Sequence, residues 1–265
     1  MVKPLDGVTV LVTRPLHQAE NICSLIESQG GTVHRFPVIE IAEPRDTAKL
    51  VGILQRLNEF DIAIFISPNA VERGIKAIME QGGLPDHIKV AAVGKGSARE
   101  LSKQGVSVDV FPTHQFNSEA LLAMTEMQSV SGKRIIIFRG EGGRELLADT
   151  LSSRGAIVEY AECYRRIKPS IDTNDLVNQL SEGRLDIITV TSNEGLKNLY
   201  DLVDEPGRSD LLKLPLTVVS ERTRQLAQKL GFIIPAIIAD NASDEMLVQA
   251  IAHWYESHPR VSKNG

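Results

Sequence analysis

The sequence holds 265 residues, 42% of them hydrophobic and 24% charged, an ordinary soluble-globular composition with room for one large or two medium domains. A net charge of −5 argues against a general affinity for nucleic acid or an anionic membrane, while 29 Lys and Arg still allow a local basic pocket. Two cysteines, Cys23 and Cys163, stand far apart with no CxxC or Cys/His cluster, so two reduced, mostly buried thiols are expected rather than a zinc site or a disulfide. Met1 to Asp6 do not lead into a signal peptide and no apolar run approaches ~20 residues, so a cytoplasmic location without membrane contact is expected.

In chain order, Gly7 precedes a strand-like run, Val8-Thr9-Val10-Leu11-Val12, and Arg14 follows it. A helical segment then ends at Ser28-Gln29-Gly30, and a β-branched stretch surrounds Val33. Residues 36–44 are extended in character and end in Pro44. Asp61-Ile62-Ala63-Ile64-Phe65-Ile66-Ser67 reads as a strand buried on both faces, and a glycine corner follows at Val93-Gly94-Lys95-Gly96-Ser97. Gly105 stops the next helix, and Ser118-Glu119-Ala120-Leu121-Leu122 opens another.

The same series then recurs about 125 residues later. Gly132 precedes Arg134-Ile135-Ile136-Ile137-Phe138, and Arg139 follows. Gly155 ends a helix, Val158 sits in a β-branched stretch, and 161–169 end in Pro169. Asp186-Ile187-Ile188-Thr189-Val190-Thr191-Ser192 parallels the strand at Asp61, Ser220-Glu221-Arg222-Thr223 the glycine corner, Gly231 the helix stop and Ser243-Asp244-Glu245 the last helix start. A duplication explains this many matches in order. Strands alternating with helices predict an α/β fold of two similar doubly wound parallel-sheet domains, with ligands beyond the carboxyl ends of the strands.

The segments 36–44 and 161–169 break the βα rhythm at equivalent places and read as crossings between domains. The first βα unit of each repeat would then pack with the later part of the other. Expected boundaries are 1–37 plus 168–258 for one domain and 40–165 for the other, with 259–265 a flexible tail. Two consecutive domains joined near Ser129-Val130-Ser131 remain the simpler alternative.

The chemically informative feature is a recurring corner of buried strand, small polar residue and helix start. It occurs at Thr13-Arg14-Pro15, Ser67-Pro68-Asn69, Gly94 to Ser97, Arg139-Gly140-Glu141-Gly142-Gly143, Ser192-Asn193 and Ser220 to Thr223. Backbone N–H groups at helix starts attract anions, and hydroxyl or amide side chains extend the donor set. Six such corners suit a polycarboxylate held in a cleft between two domains. The plainer reading is that these residues only cap helices. The loop at Gly140 lacks the Walker lysine, and neither it nor Gly94-Lys95-Gly96 completes the dinucleotide fingerprint. The six histidines are scattered, and no G-x-S-x-G elbow is present. Tyr164, in Ala161-Glu162-Cys163-Tyr164-Arg165-Arg166, is the best titratable candidate: its phenol could donate a proton to a leaving hydroxyl, and the adjacent arginines could bind carboxylates. A half-buried tyrosine on an extended linker is the bland alternative.

Val12-Thr13-Arg14-Pro15, Phe65-Ile66-Ser67-Pro68-Asn69-Ala70-Val71, Val93-Gly94-Lys95-Gly96-Ser97-Ala98, Tyr164-Arg165, Thr191-Ser192-Asn193 and Ser220-Glu221-Arg222-Thr223 together resemble the uroporphyrinogen-III synthase family, from about Gly7 to Trp254. The resemblance implies two α/β domains joined by a two-stranded β-ladder linker. It implies a lyase of tetrapyrrole (haem) biosynthesis that cyclises linear hydroxymethylbilane to uroporphyrinogen III, inverting ring D and losing water, with no metal and no organic cofactor. The substrate would carry eight carboxylates, and the enzyme would act as a monomer. The family reaction runs through an azafulvene cation and a spiro-type intermediate, with the pyrrole supplying the electron push. The enzyme's task is then to fold the chain and exclude the uninverted closure.

By the same resemblance Tyr164 is the proton donor, and Ser67, Asn69, Ser97, Ser192, Asn193 and Thr223 line the substrate site. Ser97 stands where the family more often has threonine, and Arg224 where it often has alanine. Arg14, Arg139 and Gly140 are candidate substrate contacts, though either arginine could instead brace its corner. A non-enzymatic two-domain module closing on an anionic metabolite is the alternative function.

Overall fold

A computed structural model describes residues 3–205 and 207–258; the tail expected over 259–265 lies outside them. In chain order the elements are β1 (Thr9–Val12), α1 (Leu16–Ser28), β2 (Thr32–Arg35), β3 (Glu40–Ala42), α2 (Thr47–Leu54), β4 (Ile62–Phe65), α3 (Pro68–Glu80), β5 (Lys89–Ala92), α4 (Lys95–Lys103), α5 (Ser118–Ala123) and α6 (Thr125–Gln128). They continue with β6 (Arg134–Gly140), α7 (Leu146–Ser153), β7 (Ile157–Ile167), α8 (Asn174–Ser181), β8 (Ile187–Val190), α9 (Asn193–Leu202), α10 (Gly207–Leu211), β9 (Leu216–Val218), α11 (Glu221–Leu230), β10 (Ile237–Ile238) and α12 (Asp244–Ser257). Among the described residues no helix is long and apolar enough to cross a membrane.

The chain forms two compact units, one built from the chain up to Glu40 and from Ile167 onward, the other from Ile41–Arg166. The first unit's sheet has the order β10-β9-β8-β1-β2, and the second's β3-β7-β6-β4-β5. All the registered pairings are parallel, including β1 with β8 (Val10↔Ile187) and β4 with β6 (Ile62↔Ile135). Each sheet therefore takes strands from both copies of the repeat. Aligning at a shift of 125 puts β1 on β6, β2 on β7 and β4 on β8, so β9-β8-β1-β2 and β5-β4-β6-β7 are the same arrangement twice.

The local reasons are the expected ones. β4, Ile-Ala-Ile-Phe, and β8, Ile-Ile-Thr-Val, are buried along their whole length, as strands covered on both faces must be. Gly30, Gly105, Gly155 and Gly231 follow helices with φ of 89°, 74°, 87° and 94°, a left-handed conformation in which a Cβ would clash. In the second unit the rings of Phe65 and Phe138, on neighbouring strands, stack at 4.6 Å. Gly74 of α3 lies directly on them; a Cβ there would fall 2.7 Å from the Phe138 ring. The first unit's sheet has a layer on each face. One contains Leu176, Leu196, Leu199 and Phe232, the other Ile22, Ile26, Leu247 and Ile251.

Both cysteines are buried free thiols, Cys23 in α1 and Cys163 in β7. Burial pushes both thiols up, Cys163 to about 12.

Two outcomes follow from this packing. Phe138→Ala removes one ring of a fully buried stack and should cost about 3–5 kcal/mol in denaturant unfolding; a loss under about 1 kcal/mol would mean the layer under α3 is not close-packed. A thiol reagent at mildly alkaline pH should label neither cysteine quickly in the native protein and both after denaturation. Fast native labelling would show that these layers open.

Candidate functional site

Because β10, β9, β8, β1 and β2 run parallel to one another, as do β7, β6, β4 and β5, their carboxyl ends share one edge in each sheet, and the six corners lie along those edges, three to a unit. The units are described separately.

In the first unit the corners follow β1, β8 and β9. Thr13 is buried, and its Oγ1 donates to the Thr189 carbonyl at 2.7 Å, tying β1 to β8. Arg14 turns back on its own unit, pairing with Asp244 at 2.8 Å and donating to the Ala242 carbonyl at 3.3 Å. Ser192 Oγ accepts the Gly195 N–H at 3.0 Å, and Ser220 Oγ accepts the Thr223 N–H at 3.2 Å, so both serines cap helices. The cap is worth about 0.5–2 kcal/mol and uses only oxygen lone pairs.

The next contact joins two corners. Buried Thr223 donates its hydroxyl to Asn193 Oδ1 at 2.8 Å, and its oxygen lies 2.9 Å from Ser220 Oγ. With its single proton spent on Asn193, Thr223 accepts from Ser220. Asn193, engaged through its oxygen, directs its Nδ2 donors away from Thr223. This corner pair therefore offers an amide rather than a hydroxyl.

In the second unit the corners follow β4, β5 and β6. Ser67 Oγ caps α3 by accepting the Ala70 N–H at 3.1 Å. It also lies 3.1 Å from the Tyr164 hydroxyl. Asn69 and Ser97 are buried in the first turns of α3 and α4. Those turns touch each other: a Cβ on Gly96 would lie 3.0 Å from Pro68 Cγ. At the β5 corner Lys95 Nζ sits 4.4 Å over the Phe116 ring.

Arg139 is only 2% exposed. Its guanidinium donates to the carbonyls of Gly140 and Gly142, pairs with Glu145 at 3.2 Å and lies over the Tyr160 ring at 4.4 Å. The Tyr160 hydroxyl donates to Glu145 Oε2 at 2.5 Å. That bond, and then the Arg139 charge, hold the Glu145 carboxyl below its usual range. Burial, then Glu145, pushes the Tyr160 phenol up to about 12. Two of the loop's N–H groups are also engaged: Glu141 N–H donates to the Tyr164 carbonyl at 2.8 Å, and Gly142 N–H to Glu162 at 3.4 Å. Of the two roles open to Arg139, the contacts are those of bracing. The cavity of about 300 Å³ beside this loop mixes Arg45 and Lys49 with Asp46, Glu141 and Glu162, a poor match to a polyanion.

Tyr164 is the largest fully buried side chain, at 1% exposure, and so is more enclosed than the half-buried linker tyrosine the sequence also allowed. Two features place it. The β6–β7 register passes from Arg139↔Glu162 to Gly140↔Tyr164, a bulge that skips Cys163 and re-aims the residues after it. Gly140 then leaves room for the ring; a Cβ there would lie 2.7 Å from its Cε2 and Cζ. The hydroxyl meets Ser67 and also accepts from Arg166 Nη2 at 3.3 Å.

Sequence reasoning named Tyr164 and Ser67 separately but not their contact. It passed over Arg166 as a partner of the phenol, and Glu145 and Tyr160 as partners of Arg139. The only available signal was proximity in sequence, Arg166 two residues after Tyr164.

Parallel strands in two units, with helix starts, hydroxyls and amides along their carboxyl edges, define an α/β protein whose strand ends carry groups suited to anions. The comparisons with known proteins narrow this. Residues 20–249 match the family model described as Uroporphyrinogen-III synthase HemD. The uroporphyrinogen-III synthase of Escherichia coli (strain K12) is 34% identical over 249 residues, covering 92% of this chain and all of that one. In fold, the chain resembles a crystal structure of uroporphyrinogen-III synthetase from Helicobacter pylori 26695, with a TM-score of 0.60 and 14% identity over 93% of this chain and 99% of that one. A mutant uroporphyrinogen III synthase from the extremely thermophilic bacterium Thermus thermophilus gives a TM-score of 0.59 and 18% identity over 95% and 98%. The chain belongs to the uroporphyrinogen-III synthase family.

The ring-to-glycine contact is open to test. Gly140→Ala should lower stability by about 1–3 kcal/mol through overpacking. The loss should shrink in a Tyr164→Ala background, where the ring is gone. An equal loss in both backgrounds would mean the glycine serves the loop rather than the tyrosine.

Proposed function

We infer that this chain is a cyclising lyase of porphyrin biosynthesis, converting linear hydroxymethylbilane to uroporphyrinogen III with inversion of ring D and loss of water. The observation that carries this is the pairing of family membership over 20–249 with hydroxyl and amide corners repeated at the strand ends of both units. A substrate with eight carboxylates is large and flexible, and corners of this kind offer it neutral donors. The same reading takes the enzyme as a cofactor-free cytoplasmic monomer, with domains over 1–37 plus 168–258 and over 40–165. Its crossings, near 36–44 and 161–169, form a two-stranded ladder. Support for the ladder is the place of β3 beside β7 at the sheet edge.

The chemistry asks little of side chains. Expelling the hydroxyl from the ring-A methylene needs a proton on the departing oxygen, while the pyrrole nitrogen supplies the electron pair. The resulting azafulvene cation is electrophilic enough to attack ring D unaided. Binding must then hold the two ends of the bilane together in the geometry of the spiro intermediate, so that the uninverted closure loses the race.

Tyr164 supplies the proton. Asn193, held by Thr223, and the capped helix starts at Ser67, Ser192 and Ser220 give neutral donors to carboxylates. Asn69 and Ser97 act from the first turns of their helices. Arg14 is the stronger of the two arginine candidates for a substrate contact, because Arg139 is enclosed by its own loop.

Isomer analysis of the product made from hydroxymethylbilane is the direct test. The type III isomer should dominate, and Tyr164→Phe should lower kcat by ~10²–10⁴, the usual contribution of one general acid, with little change in product affinity. Type I product alone, at the rate seen without protein, would end this reading.

A further inference from the structure

The proton donor of this reading is almost completely enclosed, yet it must serve a bulky substrate. The hydrogen bonds around it give a way out. Arginine has donors only, so the Arg166 contact makes the Tyr164 oxygen an acceptor and leaves its one proton to be placed. Ser67 Oγ, 3.1 Å away, is the other partner. If Ser67 donated to Tyr164 instead, the phenolic proton would be buried without an acceptor, the costlier arrangement. The favoured direction is therefore Arg166 N–H to Tyr164 oxygen, then Tyr164 O–H to Ser67 oxygen. Ser67 already accepts the Ala70 N–H. With both lone pairs engaged, its remaining capacity is its own O–H, on a residue that is half-buried rather than enclosed.

We propose that Ser67 is the group that touches the leaving hydroxyl and gives it a proton, with Tyr164 recharging Ser67 from behind and Arg166 fixing the direction of the relay. This rests on the synthase reading and assigns Ser67 a catalytic role in place of a binding one. Ser67 O–H protonates the departing oxygen as the carbon–oxygen bond breaks, and water leaves. The pyrrole nitrogen lone pair forms the azafulvene cation. Tyr164 passes its proton to Ser67 Oγ and becomes a phenolate facing Arg166. When the unsubstituted α-carbon of ring D forms its new carbon–carbon bond it releases its hydrogen as a proton, which returns through Ser67 to the phenolate. Protons and charge balance over the cycle.

The test measures kcat and KM for type III formation, together with thermal midpoints. Ser67→Ala and Tyr164→Phe should lower kcat by similar factors, with KM nearly constant. The double variant should be no worse than the poorer single one, because the two groups act as a unit. Ser67→Asn keeps a helix cap but has no hydroxyl proton to pass on, and should stay as low as Ser67→Ala. Ser67→Thr keeps both and should recover most of the activity. In mixed light and heavy water the wild-type rate should follow a curve, as two protons in flight require.

Full turnover in Ser67→Ala or Ser67→Asn, losses that multiply in the double variant, or a linear isotope dependence would each overturn the relay while leaving Tyr164 as a direct donor. If Tyr164→Phe were silent as well, proton donation would lie elsewhere and the relay would fall with it. Type I product alone from the wild type would remove the synthase reading itself.

Discussion

Parallel pairing is the constraint from which the rest follows. A parallel strand must return to the same end of the sheet before it can pair again, so strands alternate with helices and all carboxyl ends collect along one edge. Polar residues placed after strands far apart in sequence thereby become neighbours. Asn193 and Thr223, thirty residues apart, share a hydrogen bond because β8 and β9 are adjacent. Ser67 and Tyr164, nearly a hundred apart, do so because β4 and β7 flank β6.

The corners differ in what they leave available. Caps at Ser67, Ser192 and Ser220 engage oxygen lone pairs, so the fate of each hydroxyl proton decides the chemistry. At Ser220 the proton goes inward to Thr223; at Ser67 a second donor from behind turns it outward. The corner after β6 is held by Arg139, Glu145 and Tyr160, and its Glu141 and Gly142 N–H groups donate to the Tyr164 carbonyl and to Glu162. Through Gly140 it shapes the surroundings of Tyr164. Burying the guanidinium of Arg139 is tolerable only because carbonyls, a carboxylate and an aromatic face surround it.

Much of this fold could be read from residue order. Runs such as Ile62 to Phe65 identify strands covered on both sides, helix-ending glycines mark the stops, and recurrence at a fixed shift exposes the duplication, since each depends on local periodicity. The residue types of the candidate site could be named from residue order, but their contacts could not. A bulge at Cys163 changes which way Tyr164 faces, and period-two alternation gives no warning of it. Arg139 looks like an anion binder by type; its enclosure depends on Glu145 and Tyr160 arriving from α7's approach and from β7. Arg166 became informative only when its donor was seen to point at the phenol.

The mixing of repeat halves in the sheets has a consequence for how the chain is made. Ile41–Arg166 form a continuous segment whose sheet is complete once β7 has emerged from the ribosome. β1 and β2, synthesised before it, have no β8 to pair with until Ile187 and its neighbours are made. The second unit can therefore close while β1, α1 and β2 are still an isolated βαβ piece, exposing Val10, Leu11 and Val12 on an open edge. Strands made early are thus buried late. Through that interval, protection of the edge falls to chaperones or to the speed of translation rather than to the fold.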